Sequence, residues 1–229
     1  MVYVCVVRFL PCFTSQINQE PLFANQAANM RTRTEIEKRG LEVVTVPEDG
    51  NCAFWAVSAL LCHLGLETLS PGQLRSMVCD HASKLLAVLK AGKPLSPEGA
   101  AFVAEVRKHA IVTCGAPDKV ILREYLNQAI KLGKYVGFEA MHYFAYEFKL
   151  RLVVFTFGDD GSLENISSVG DIGPEAAITY ERHVHFNATV PVGNNLKMRL
   201  YLQSLVRQNG GFSDSACGVC RHDLLCVCF

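Results

Sequence analysis

Between residues 52 and 65 the apolar positions Phe54, Val57, Leu61 and Leu64 recur with a period near 3.6 and stop at Gly65. That spacing predicts a helix beginning at about Cys52. Ahead of it, "LEVVTVPEDGN" predicts a short β-branched strand that ends at Pro47, then an Asp49-Gly50-Asn51 turn. Ser70-Pro71 with Gln73 supplies a helix cap, a first-turn proline and a capping-box partner, and Leu74, Met77, Val78, Leu85, Leu86 and Leu89 then form one apolar face up to Gly92. Ser96-Pro97 opens another helix that fades before Gly115, a third runs from about Asp118 to Leu132, and a fourth covers "FEAMHYFAYEFKL". The pattern then switches to strand. "RLVVFTF" with the turn "GDDG" reads as one strand, and "AAITYERHVHFNATV" as another late in the chain. Near the start, "MVYVCVVRFLPCF" reads as a strand, "TSQINQEPLFANQAANM" as an irregular lead-in, and "RTRTEIEKRG" as a short surface helix stopped by Gly40. Helices gathered in the middle with strands mostly at the ends of the sequence predict an α+β layered domain.

Composition narrows the class. At 229 residues, half of them hydrophobic, the chain can build one sizeable core, and 22 basic against 22 acidic residues give no global field toward nucleic acid or an acidic substrate. The chain is too large and too rich in apolar residues to need a disulfide framework, so most of its ten cysteines read as reduced thiols. The N-terminal apolar run carries Arg8, lacks a basic flank and is too short to span a bilayer. A reducing, cytoplasmic setting without membrane or nucleic-acid partners is the expectation.

Cys52 is the first candidate for chemistry. A thiolate, not a thiol, is the nucleophile, and a helix N-terminus favours negative charge through its unpaired N–H groups. Gly50 lets backbone amides turn toward a reacting carbonyl, as an oxyanion hole requires. The plain alternative is a buried packing cysteine. A nucleophilic cysteine also needs a base. In "ERHVHFNATV", His183 and His185 alternate on the expected strand and share a face with Asn187, so the amide can hold the His185 ring. His183 with His185 could ligate a metal, but no further ligand is spaced nearby, and His142 in "EAMHYF" reads as a helix-surface or packed residue.

"DGNCAF" together with "HFNAT" resembles the ovarian-tumour (OTU) family of cysteine proteases, and "YLNQAIKLGKYVGFEAMHYFAYEFKLRLVVF" between them is similar to that family's helix, Gly-rich turn, helix and strand. The likeness spans residues 41 to 192. It implies an OTU-like, papain-like fold with a small sheet packed between helices. It further implies Cys52 as nucleophile, His185 as general base, Asn187 as its orienting partner, and Asp49 shaping a loop whose Asp49, Gly50 and Cys52 backbone forms the oxyanion hole. The implied activity is a deubiquitinase cutting isopeptide or peptide bonds after the C-terminal glycine of ubiquitin, polyubiquitin or ubiquitin-like proteins, without a cofactor. Two alternatives stand beside it: a polyprotein-processing viral protease, and an inactive ubiquitin-binding module. Host cytosol is the setting if the source is a virus or a bacterial effector. Ala53, Trp55, "YVG" and Ala188 depart from the family pattern, and Trp55 reads as core packing.

The C-terminal "CGVCRHDLLCVCF" places Cys217, Cys220, Cys226 and Cys228 at ligand-like spacing, either a zinc knuckle or redox-sensitive tail, or a segment irrelevant to catalysis. "LVRQNGGFSDSA" before it reads as a linker. The expected organisation is therefore an N-terminal extension (1–40), a catalytic domain (41–206), and a linker with a Cys-rich tail (207–229).

Overall fold

The computed structural model describes residues 22–109, 116–129, 137–170, 172–182 and 184–208. Five strands, β1 (Leu41–Val44), β2 (Arg151–Phe157), β3 (Leu163–Val169), β4 (Glu175–Glu181) and β5 (His185–Pro191), form one sheet in the order β1-β5-β4-β2-β3. β2 and β4 run parallel, and the other neighbours are antiparallel.

The helices follow their sequence signals closely. α2 (Cys52–His63) starts at the cysteine and closes at Gly65, whose φ of 68° is the left-handed conformation a helix stop needs. α3 (Pro71–Lys90) carries the full Ser70–Gln73 capping box, α4 is Pro97–His109, α5 is Asp118–Ala129 and α6 is Phe138–Glu147. α2 is more than amphipathic. Every residue from Cys52 to Leu61 is buried, which makes it the central helix, wrapped by the sheet, α3, α6 and α7 (Asn195–Gln208). Leu152, Val154, Ile178, Phe186, Ala188 and Val190 supply the sheet's side of that core.

The other sheet face is covered by α1 (Leu22–Glu37), with Ile36 against Phe155, Phe157 and Ala177. The sheet therefore lies between helices. Two expectations are corrected by these elements. The lead-in from residue 22 onward is helical, because Ala28, Thr32 and Ile36 recur every four residues as a narrow buried stripe. This helix lies within the stretch expected to be an extension, yet it seals the sheet. The late single strand is a hairpin of β4 and β5, broken at a turn where Arg182 takes a φ of 52° and the Val184 amide donates to the Glu181 carbonyl. β3 and α7 went unpredicted. β3 is an edge strand, mostly exposed on both faces, while α7 buries Met198, Leu202 and Leu205 and runs through the first residues expected to form a linker. The N-terminal strand, the Cys-rich tail and its zinc site lie outside the described residues.

Candidate active site

β1 delivers the chain past the end of β5 and into the turn before α2. On the way, the buried Val46 amide donates to Asn187 Oδ1 at 3.0 Å. Asn187 sits opposite Thr179 in the β4–β5 register, and His185 opposite Glu181, so these four side chains share one face of the hairpin. Asn187 Nδ2 donates to Glu181 Oε1 at 2.9 Å, and Thr179 Oγ1 donates to the same oxygen at 2.8 Å. The amide can point only one way in this network, leaving Oδ1 toward His185 Nε2 at 3.1 Å. An acceptor there fixes the proton on Nε2. Nδ1, which then carries the lone pair, is buried and has no hydrogen-bond partner among the described residues.

The thiol lies at this junction. Cys52 is 1 % exposed, and its sulfur rests against the backbone amides of Ala53 and of Phe186, the residue after His185. Burial pushes the thiol above its ordinary value. The two amides oppose that rise, and the charges of Asp49 and Glu48 add to it. The backbone amides lower the thiol pKa as expected of a helix start, but desolvation of the closed site outweighs them. The buried site therefore favours the neutral form of the Cys52 thiol.

The turn between Val46 and Cys52 is built by three side chains. Asp49 Oδ1 accepts from the Asn51 amide at 2.9 Å, while Oδ2 accepts from Asn51 Nδ2 at 3.2 Å and from Trp55 Nε1 at 3.1 Å. Trp55 is buried as the sequence indicated, and its indole N–H also anchors the loop carboxylate. Gly50 takes a φ of 74°, open only to glycine at low strain. Asn51, the cap residue of α2, makes no side-chain cap, because its Oδ1 is taken by Arg75. The first amides of α2 are therefore not met by a cap side chain.

Arg75 escaped the sequence reading, as did Glu181 and Thr179. A charged residue inside the buried stripe Leu74, Val78, Ala82, Leu85 of α3 was the available signal for it. Of the residues singled out in the sequence, Asp49, Gly50, Cys52, His185 and Asn187 come together. His183 lies outside the described residues, and the strand that would have aligned it with His185 starts only at His185. His142 is on α6, half-buried, with Nε2 3.7 Å from a Glu105 carboxylate oxygen, and burial lowers its pKa. Among the described residues, no group of three or more His, Cys, Asp or Glu side chains could hold a metal, and no helix is long and apolar enough to cross a membrane.

No protein-family model matches the chain, and no curated protein does. Solved structures do. The OTU domain of OTUD1 superposes with a TM-score of 0.50 at 15% identity, covering 75% of this chain and 99% of that one. Viral OTU proteases are also similar: that of Taggert virus at 18% identity and TM-score 0.49, covering 70% of this chain and 84% of its own, and that of Hazara virus, bound to ubiquitin, at 18% and 0.47, covering 68% and 84%. The chain has the OTU-domain fold, in a divergent version.

Proposed function

We propose that this protein is a cysteine protease that hydrolyses the bond after the C-terminal glycine of ubiquitin, with Cys52 as nucleophile, His185 as base and Asn187 as the residue that orients it. One observation carries the proposal. The Cys52 sulfur lies against the Phe186 amide while the adjacent His185 has Nε2 engaged by Asn187 and Nδ1 free. Nothing in packing requires an imidazole to be buried with one nitrogen unpaired, whereas a general base needs that lone pair. The fold shared with the OTUD1 domain and the likeness of both sequence boxes to OTU proteases support ubiquitin as the substrate.

His185 Nδ1 takes the thiol proton as sulfur attacks the glycine carbonyl. The carbonyl oxygen becomes an oxyanion, held by amides of the Asp49–Cys52 turn and the start of α2. The imidazolium returns its proton to the leaving lysine amine, the C–N bond breaks, and a thioester remains. Water, deprotonated by the same histidine, then hydrolyses the thioester and restores the thiol. Side chains, backbone amides and water carry every step.

A ubiquitin probe bearing a thiol-reactive C-terminal group tests this directly. The expected result is an adduct of one ubiquitin mass, absent with Cys52→Ala and slow with His185→Ala. Folded protein that forms no adduct refutes the ubiquitin reading. An adduct that persists in Cys52→Ala refutes the assigned nucleophile.

A further inference from the structure

Arg75 has no place in the reaction just described, yet its environment is unusual. Arg75 is 3 % exposed, on the inner face of α3, and its guanidinium lies 4.6 Å over the Phe54 ring. Nη2 donates to the Gly50 carbonyl at 3.0 Å and to Asn51 Oδ1 at 2.7 Å, Nε donates to the same Oδ1 at 3.1 Å, and Nη1 donates to the Ala129 carbonyl at 2.7 Å. Three of these hydrogen bonds grip the turn that precedes Cys52. The fourth ties that turn to the last residue of α5.

The grip acts on a particular peptide plane. The Gly50–Asn51 peptide has its carbonyl held by Arg75 and its N–H held by Asp49 Oδ1, so both ends are fixed in opposite directions. At Gly50, with a φ of 74°, no side chain resists rotation of that plane. Released, the carbonyl could turn toward the space where the reacting oxygen collects negative charge, and a carbonyl dipole there repels the oxyanion that amides should attract. A lysine cannot replace the fork, since it presents a single ammonium on a flexible stem.

We infer that Arg75 is a positioning residue that locks the Gly50–Asn51 peptide in the orientation compatible with oxyanion binding, and that couples this lock to the C-terminal end of α5. The inference rests on the protease reading for its catalytic consequence but not for its structural one. Arg75 touches no reacting atom.

The experiment compares wild type, Arg75→Lys and Asn51→Ala, the last keeping the buried cation while removing its side-chain acceptor on the turn. With a fluorogenic ubiquitin C-terminal amide, Arg75→Lys lowers kcat by roughly 10²-fold, the scale of losing an oxyanion contact, with KM within about threefold. Affinity for ubiquitin aldehyde, whose adduct with Cys52 places an oxyanion in the same position, falls in parallel with kcat, while binding of unmodified ubiquitin holds. Iodoacetamide alkylation of Cys52, which needs no oxyanion hole, stays at the wild-type rate. Asn51→Ala changes these quantities in the same direction by less, and carries the test if Arg75→Lys does not fold. A folded Arg75→Lys variant with unchanged kcat overturns the inference, as does one that loses alkylation and aldehyde binding equally. A second readout needs no ubiquitin: amide hydrogen exchange across residues 49–53 should quicken at least about tenfold in Arg75→Lys at matched global stability. Unchanged protection there overturns the lock even if wild type cleaves no ubiquitin substrate, and quickened exchange in such a protein supports the lock while the protease reading alone fails.

Discussion

Asn187→Ala separates the energetic and the chemical roles of the hairpin network. The substitution removes the acceptor of the Val46 amide and of His185 Nε2, and one of the two donors to Glu181 Oε1. Thr179 Oγ1 still satisfies Glu181, so that loss is small. The Val46 amide and the imidazole N–H are both buried, and each unpaired buried donor costs about 1–3 kcal/mol. Water entering the vacated volume recovers part of this, so a destabilisation of about 2–4 kcal/mol is expected. At about 2–4 °C per kcal/mol for a chain of this size, Tm should fall by roughly 5–15 °C. The chemical loss is distinct, because without Asn187 Oδ1 neither the tautomer nor the ring angle of His185 is fixed. Loss of a positioned general base is on the order of 10²–10⁴ in kcat/KM. Circular dichroism melts give the first quantity, and progress curves with a fluorogenic ubiquitin amide well below Tm give the second. A folded Asn187→Ala retaining a third or more of wild-type kcat/KM refutes the orienting role. A large loss in kcat/KM with an unchanged Tm refutes the buried-donor accounting.

Trp55→Phe keeps the buried ring and deletes one donor to Asp49, which retains both Asn51 contacts. Stability should drop by about 1–2 kcal/mol, with a fall in kcat of about tenfold or less, read by urea titration and steady-state kinetics. Because burial raises the Cys52 pKa, iodoacetamide alkylation of free enzyme should be slow at pH 7 and rise with an apparent pKa above the ordinary thiol value of about 8.5. The sign for stability follows, since the folded state favours the neutral thiol. That contribution is present below about pH 8.5 and is lost as pH rises, so wild type should lose stability relative to Cys52→Ala in alkaline urea titrations. Gly161→Ala places a Cβ 2.1 Å from the Ala28 carbonyl oxygen at a φ of +77° and should force α1 off the sheet, while Gly193→Ala, at +93° with open space around it, should cost only about 1–2 kcal/mol of backbone strain. Thermal melts of the pair distinguish clash from strain, and equal losses would refute the contact.

Local signals survived translation into structure where they were strong. The Ser70–Gln73 box, the Asp49-Gly50-Asn51 turn and the glycine stops at 65 and 92 each encode a hydrogen bond or a left-handed φ that few other residues provide. The misses have physical causes too. α1 buries Ala28 and Thr32, side chains too small to register as a hydrophobic stripe, and it can lie that close because Gly161 has no Cβ to meet Ala28. The β4–β5 turn has no Asn-Gly or Asp-Gly signature, since Arg182 supplies the positive φ, so two strands looked like one. In α7, by contrast, Met198, Leu202 and Leu205 keep a helical period, and that signal was available but passed over.

The site itself was legible only in its ends. Cys52 and the His185–Asn187 pair carry short-range patterns, whereas what fixes them is spread over the whole chain: Val46 reaches Asn187 across 141 residues, and Arg75 reaches Gly50 across 25 and Ala129 across 54. No window along the sequence contains such a pair. The consequence for divergence is specific. Trp55 stands where the OTU pattern commonly has an arginine, and its neutral indole N–H still anchors the Asp49 carboxylate of the turn. The charges of Asp49 and Glu48 raise the Cys52 pKa in the same direction as burial. Under the proposed reading, burial disfavours a resting thiolate at Cys52. On the proposed protease reading, the rate then depends on His185 taking the proton during attack, and so on the Asn187 contact that orients its ring and the Arg75 hold on the turn.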